Sequence, residues 1–248
     1  WSALQSLDIL TGTPADSTNL VISEIFYNEP GPLETSEFIE LTNIANVEID
    51  LSKVSFAAGL TYTFPIGVTL APESQIVLTP ADYEGSLDND GETLTLVDAS
   101  GAIIESFTYN DASPWPTAAD GAGFSLVRIS PVRQLNGNDP AHWRSSTTTG
   151  GNAGTTDAST LSGGNLIDYA MQGNELTFEP NFESVIVPRN LAADDVIIRA
   201  QVSSDLITWT DLSNPRSETL PQNGFTQQTF DLTPTPSKRF LRVKVTLR

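Results

Sequence analysis

Apolar and polar residues alternate in short runs along most of this chain, and Gly, Pro, Asn and Asp separate the runs. A period of two places successive side chains on opposite faces of a strand, so the pattern predicts strands. They fall at 20–27 (LVISEIFY), 37–43 (EFIELTN), 60–65 (LTYTFP), 74–80 (SQIVLTP), 92–98 (ETLTLVD), 102–109 (AIIESFTY) and 124–129 (FSLVRI). Many short strands with regular turn signals predict a β-sandwich. Residues 145–165 are almost all Ser, Thr, Gly, Asn and Ala. Such a tract buries too little apolar area to offset its own ordering, and it predicts a flexible linker. Beyond it LIDYAMQG (166–173) reads as a short helix, and then strands resume. In DVIIRAQVSS (195–204) Val196, Ile198, Ala200 and Val202 share one face. In RFLRVKVTLR (239–248) Leu241, Val243, Val245 and Leu247 point in, while Phe240, Arg242, Lys244 and Arg248 point out. About five or six strands of ordinary length are expected in this second part. At the very start, Ala3, Gln5, Leu7 and Ile9 alternate with Leu4, Ser6, Asp8 and Leu10. Apolar side chains on both faces predict a strand covered on both sides. The expected organisation is all-β: a leading strand over 1–18, a first sandwich over 19–145, a linker over 146–165, and a small sandwich over 166–248.

Composition narrows this picture. A chain of 248 residues suffices for two domains with separate cores, and 39% hydrophobic with 17% charged residues is a globular composition. No apolar run is long enough to cross a bilayer, and no signal-peptide pattern opens the chain. Its first residue is Trp1 rather than Met, so a processed product or a piece of a longer protein is expected. The absence of cysteine excludes disulfides and thiolate metal sites. The net charge is −19 and is uneven: 1–155 hold 20 Asp/Glu against 4 Lys/Arg, a net of −16, and 156–248 hold 11 against 8, a net of −3. Such a field repels phosphate backbones, so no nucleic-acid partner is expected. It suits a secreted protein in a salty medium, where screening is strong. Against that charge, an outward row of Arg242, Lys244 and Arg248 is expected to face acid, with the acidic first part the nearest candidate.

Candidate chemistry is sparse. The single histidine, His142 in NDPAHWR, excludes a two-histidine zinc site, and no G-x-S-x-G accompanies it for a triad. Glu24, Glu37 and Glu40 lie in or near the first two strands. Glu24 and Glu40 fall in phase with Phe26 and Phe38, so both can share a sheet face. Paired carboxylates could do acid/base work on a sugar, but a solvated acidic face is the expectation. In LDNDGETLTL (87–96), Asp88, Asp90 and Glu92 are weak candidates for calcium, which wants six to eight oxygens. The Asp-Gly reads instead as a hairpin turn, and no cofactor is expected. In SPWPTAADGAGFSL (113–126), Pro114 and Pro116 bracket Trp115. A ring held in that way either plugs the end of a sandwich or offers a stacking face to a glycan or protein. Tyr109 and Trp143 are the other candidate stacking residues.

LVISEIFYNEPG, EFIELTNIANVEIDLSKVSF, YTFPIGVTLAP, DNDGETLTLVDASGAIIESFTY, SPWPTAADGAGFSLVRISP and NDPAHWR follow one another over about 19–145 with spacings that resemble the bacterial lamin-tail domain. The resemblance implies an immunoglobulin-like sandwich of large secreted or surface bacterial proteins, and it brings no catalytic residues. That family often has Asn where this chain has His142. LIDYAMQG, VSSDLITWTDL and KRFLRVKVTLR resemble, more loosely, a C-terminal β-domain of secreted verrucomicrobial and planctomycete-like proteins. WSALQSL resembles the last strand of a sandwich that often precedes lamin-tail domains, so a C-terminal part of a larger secreted protein is implied. The expected function is a non-catalytic structural or adhesive module, at the bacterial surface or secreted. Its expected partners are other proteins or its own copies, without membrane insertion. The alternative is a carbohydrate-binding module that uses Trp115.

Overall fold

The computed structural model describes residues 12–31, 36–159, 161, 165–180, 182–232 and 240–248. The chain divides into two compact units, Trp1–Arg144 with Asn152–Thr155, and Ser145–Gly151 with Thr156–Arg248. Most of the leading strand expected over 1–18 lies outside the described residues.

In the first unit the strands are β1 (Thr13–Pro14), β2 (Leu20–Phe26), β3 (Phe38–Asn43), β4 (Ile49–Asp50), β5 (Ser55–Ala58), β6 (Thr69–Leu70), β7 (Gln75–Leu78), β8 (Thr93–Val97), β9 (Ile103–Thr108), β10 (Leu126–Arg128) and β11 (Trp143–Ser145, whose last residue falls in the second unit). They form a five-stranded sheet in the order β11-β10-β2-β3-β7, a three-stranded sheet β5-β8-β9, and a small sheet β1-β4-β6. Inward residues of both larger sheets, among them Ile22, Ile39, Leu41, Leu94, Leu96 and Phe107, belong to one hydrophobic core. The fold is an all-β sandwich.

Residues 60–65 are not a strand. They run back along 53–56 through Phe56 N–H to Tyr62 O (3.1 Å) and Phe64 N–H to Val54 O (2.9 Å), and Pro65 ends the pairing. Nor is the Asp88–Glu92 turn a hairpin. The strand before it, β7, and the one after it, β8, belong to different sheets, so the turn carries the chain from one layer to the other. Gly91 is required there: its φ is +103°, and a Cβ would lie 2.4 Å from Tyr109 O.

One irregularity decides which residues face inward. Ile22 pairs with Leu41 and Glu24 with Glu40, so Ser23 is an extra residue, a β-bulge. Strict alternation from Leu20 and Ile22 would have aimed Glu24 at the core. The bulge resets the phase, so Ile25 and Tyr27 join the core and Glu24 turns to the opposite face.

The second unit holds α1 (Leu166–Met171), β12 (Thr177–Phe178), β13 (Ser184–Asn190), β14 (Val196–Ser203), β15 (Thr210–Asp211), β16 (Ser217–Glu218), β17 (Phe225–Asp231) and β18 (Phe240–Leu247). Its sheets run β12-β13-β17-β16 and β15-β14-β18. Asn165 caps α1 by accepting from the Asp168 amide (2.9 Å). Two small clusters fill this unit, one around Ala170, Met171 and Val196, the other around Val185, Val187 and Phe230.

The Ser/Gly tract differs from a free linker. Asn152–Thr155 belong to the first unit and the flanking residues to the second. Its polar backbone is engaged: the Thr147 amide donates to Asp157 (2.8 Å) and the Ser159 amide to Ala192 O (2.8 Å).

Candidate functional site

The carboxylates that carry possible acid/base chemistry are not on a solvated face. Glu24, Glu37 and Glu40 are only 2, 1 and 3% exposed. Glu24 and Glu40 face each other across β2 and β3 on the sheet face opposite the core, and backbone covers them. The Asn152 amide donates to Glu24 Oε1 (3.1 Å) and the Gly154 amide to Glu40 Oε2 (2.8 Å). The Ser125 hydroxyl also donates to Glu24. On the other side of the pair, Thr42 donates to Ser23 Oγ (2.7 Å), and Ser23 donates to Glu40 Oε1 (2.6 Å). Burial pushes the Glu40 carboxyl above its ordinary value, against the pull of the Ser23 and Gly154 donors. Glu37 lies beneath Tyr83 and accepts from its hydroxyl (3.4 Å) and from the Leu87 amide (3.3 Å). Each carboxylate is engaged by groups of the fold, and both members of the Glu24–Glu40 pair are buried. What sequence reasoning missed was the cover, because a Ser/Gly tract has no apolar signal to show that it docks.

The aromatic candidates are also interior. Trp115, Tyr109 and Trp143 are 8, 0 and 2% exposed. The Trp115 ring lies 6.1 Å from that of Trp143, which lies 5.1 Å from Phe107. The Trp143 indole donates to Gly137 O (2.8 Å), and Gly137 has no room for a Cβ beside Phe107. Tyr109 stacks at 4.8 Å on Tyr27 and donates to Asp88 O (2.8 Å). Burial pushes its phenol well above the ordinary range. The proline-bracketed loop therefore inserts its tryptophan into the core and leaves no free ring face for a ligand.

At the Asp88–Glu92 turn, Asp88 Oδ1 accepts from the Asp90 amide (2.9 Å), and Glu92 Oε1 accepts from the Asp88 amide (3.1 Å). Among the described residues, no three His, Asp or Glu side chains come together as a metal set. His142 is half-buried in a turn, with Nδ1 2.9 Å from Asn136 O.

A charged pair that sequence reasoning overlooked ties the two layers together. Glu105 on β9 pairs with Arg128 on β10, and its other oxygen accepts the Ile22 amide at the bulge (2.8 Å). Arg128 also donates to Leu135 O and lies 5.5 Å from the centre of the Trp143 ring. Beside the pair is a cavity of about 220 Å³ lined by Leu20, Ile104, Asn136 and others. That is smaller than the pockets that hold drug-sized ligands.

In the second unit the basic row is split. Arg248 bonds through Nε to Asp194 O (3.0 Å) and through its amide to Asp195 O (2.7 Å). Arg242 and Lys244 stay exposed on β18. Arg242 Nε donates to Gln201 (2.8 Å), and its guanidinium stacks 4.1 Å from the Trp209 ring centre.

Residues 13–111 match the family model of the Lamin Tail Domain. The match stops short of β10 and β11, which complete the same five-stranded sheet, so the structural unit is longer than the matched stretch. No curated protein and no solved structure matches the chain.

Proposed function

We propose that this chain is a non-catalytic contact module that works outside the cell by binding other proteins or copies of itself. One observation carries the reading: in the first unit, the six side chains best suited to chemistry or ligand stacking are at most 8% exposed and are engaged in the fold. Surface is what this sandwich has left to offer, and lamin-tail similarity over 13–111 fits a domain of that kind. Secretion is supported by the net charge of −19 in a cysteine-free chain, and by the resemblance of residues 166–248 to domains of secreted proteins.

The test compares the two classes of ligand. Full chain is applied to a glycan array and, separately, to purified surface proteins of its source cells, with solution mass measured across concentration. Saturable binding to a purified protein, or mass that rises with concentration, is the expected result, with the array blank. Glycan binding that is lost in Trp115→Ala while the fold survives would overturn the reading.

A further inference from the structure

The second unit ends its β15-β14-β18 sheet on an eight-residue strand, and among the described residues nothing pairs with the far edge of β18. Such an edge presents unpaired amides and carbonyls. On the outer face of this sheet three described cations gather. Arg199 and Lys244 are directly opposed across β14 and β18, and Arg242 follows two residues earlier on the same face. Opposed like charges are unfavourable, and a single carboxylate relieves them. Asp211 pairs with Arg199 (3.0 Å), and Arg199 and Lys244 help the Gln201 hydrogen bond hold its carboxyl below the usual range. Other arginines of this unit reach acids: Arg189 reaches Glu218, and Arg216 reaches both Glu179 and Asp231. Arg242 and Lys244 reach none within ion-pair distance among the described residues. In a chain with 31 acidic and 12 basic residues, two adjacent cations on a free edge are an exception that calls for a reason.

Arg242 is held by Gln201 on β14 and by the Trp209 ring just before β15, so its guanidinium leans away from the open edge and an incoming carboxylate must compete with Gln201 for it. Trp209 in turn closes a loop that is held rigid from within. Asp205 accepts from the amides of Ile207 and Thr208 (both 2.8 Å) and from the Ser203 hydroxyl (2.9 Å). The loop tip presents Leu206 and Ile207, the latter 85% exposed. An arginine held on an aromatic ring, next to a loop that exposes apolar side chains, is the composition of an interface anchor.

We infer that the free edge of β18 takes up an extended acidic segment of a partner protein as an added strand. The register states what that segment must look like. Residues two apart on an incoming strand share a face, so carboxylates at i and i+2 fall beside Arg242 and Lys244. The residue between them faces the side of Val243, which is half-buried and apolar, so it should be apolar too. Main-chain hydrogen bonds would give affinity and the charge pattern would give specificity. A second copy of β18 does not fit, because its own cations would meet these. The inference rests on the reading of the chain as a contact module and adds to it a surface and a partner chemistry.

The probe is a peptide that alternates Glu with Val, compared with a scrambled peptide of the same composition. Full chain is titrated by NMR, and hydrogen exchange is followed along β18. Binding of the alternating peptide alone is expected, with new protection of the β18 amides that point away from β14, and with affinity that falls as salt rises. Arg242→Glu with Lys244→Glu should weaken it on the order of tenfold or more, and a Lys/Val peptide should then bind the reversed chain. Arg242→Gln with Lys244→Gln serves as the second variant, and unchanged melts keep folding out of the result. Absence of peptide binding, equal binding of the scrambled peptide, or shifts away from β18 would each overturn the proposal. If the peptide fails and the Gln variant self-associates, the cations only guard the edge. If the peptide fails while a purified protein binds elsewhere on the chain, this surface is wrong and the module reading stands.

Discussion

The two units solve the same problem with unequal means. Among the described residues, the first gathers 26 buried hydrophobic residues into one continuous core, whereas the second divides eight between two clusters. More of its apolar side chains are found outside: among the described residues, seven of the eleven large hydrophobics that stand exposed belong to the second unit, Phe178, Phe182 and Ile207 among them. Polar groups follow the opposite rule. The first unit buries carboxylates and the guanidiniums of Arg128 and Arg144, whereas the described cations of the second unit are half-buried or exposed. A large core offsets the cost of buried polar networks, whereas a small, divided one leaves more of its apolar side chains at the surface.

The difference should be largest where a core side chain is truncated. Phe107→Ala removes a ring packed on Trp143 and should lower the stability of the first unit by about 4 kcal/mol. Met171→Ala should cost the second unit about 2 kcal/mol. Denaturant melts of the full chain, followed by hydrogen exchange in each unit, give both values. Similar losses would mean that the two cores are better matched than their composition suggests.

Next in size is the pair that joins the layers. Arg128→Leu leaves the half-buried Glu105 without its cation at the bulge and should cost about 3 kcal/mol. The expected local sign is faster exchange of the Ile22 amide, which Glu105 holds.

The bulge also marks how far the sequence could be read. Alternation was enough to find β2, β3, β8, β9, β14 and β18, because each is five or more residues long, although the bulge hid which way Glu24 faces. It was blind to β1, β4 and β6, two-residue pairings held by backbone bonds that need no side-chain pattern. It also mistook 60–65 for a strand, since Tyr62 and Phe64 alternate there just as strand residues do. The buried state of Glu24 and Glu40 depends on chain more than a hundred residues away, which no local pattern reports. Trp115 was legible as a rigid aromatic, but the choice between plug and platform depended on where Trp143 would lie.

Acid should separate the units in sign as well as size. The Glu40 carboxyl is raised by folding, so the folded unit binds its proton before the unfolded chain does. The stability it contributes is present below 4.5, the ordinary value, and is lost as pH rises through the folded value. Asp205 behaves in the reverse way, with its carboxyl lowered from 3.8 to about 2 by the amides of Thr208 and Ile207. Its contribution is present above 3.8 and is lost as pH falls through about 2. On acidification from neutral pH, Glu40→Gln should therefore remove a gain that the first unit otherwise shows. Regional melts at several pH values measure this, and a Gln variant with the parent's pH profile would remove Glu40 as its source. The smallest effect belongs to Asp205→Asn, which should speed amide exchange at Ile207 and Thr208 above pH 4 and leave the melting temperature nearly unchanged.

The contrast between one large core and a divided one comes down to one measurement, native-state hydrogen exchange on the full chain at neutral pH. Amides of Leu20–Phe26 and Phe38–Asn43 that are bonded within the sheet should exchange only through unfolding of their whole unit. Amides of Phe240–Leu247 that are bonded to β14 should exchange by local opening, at least about a hundredfold faster. Equal protection of the three strands would contradict the contrast between the two cores.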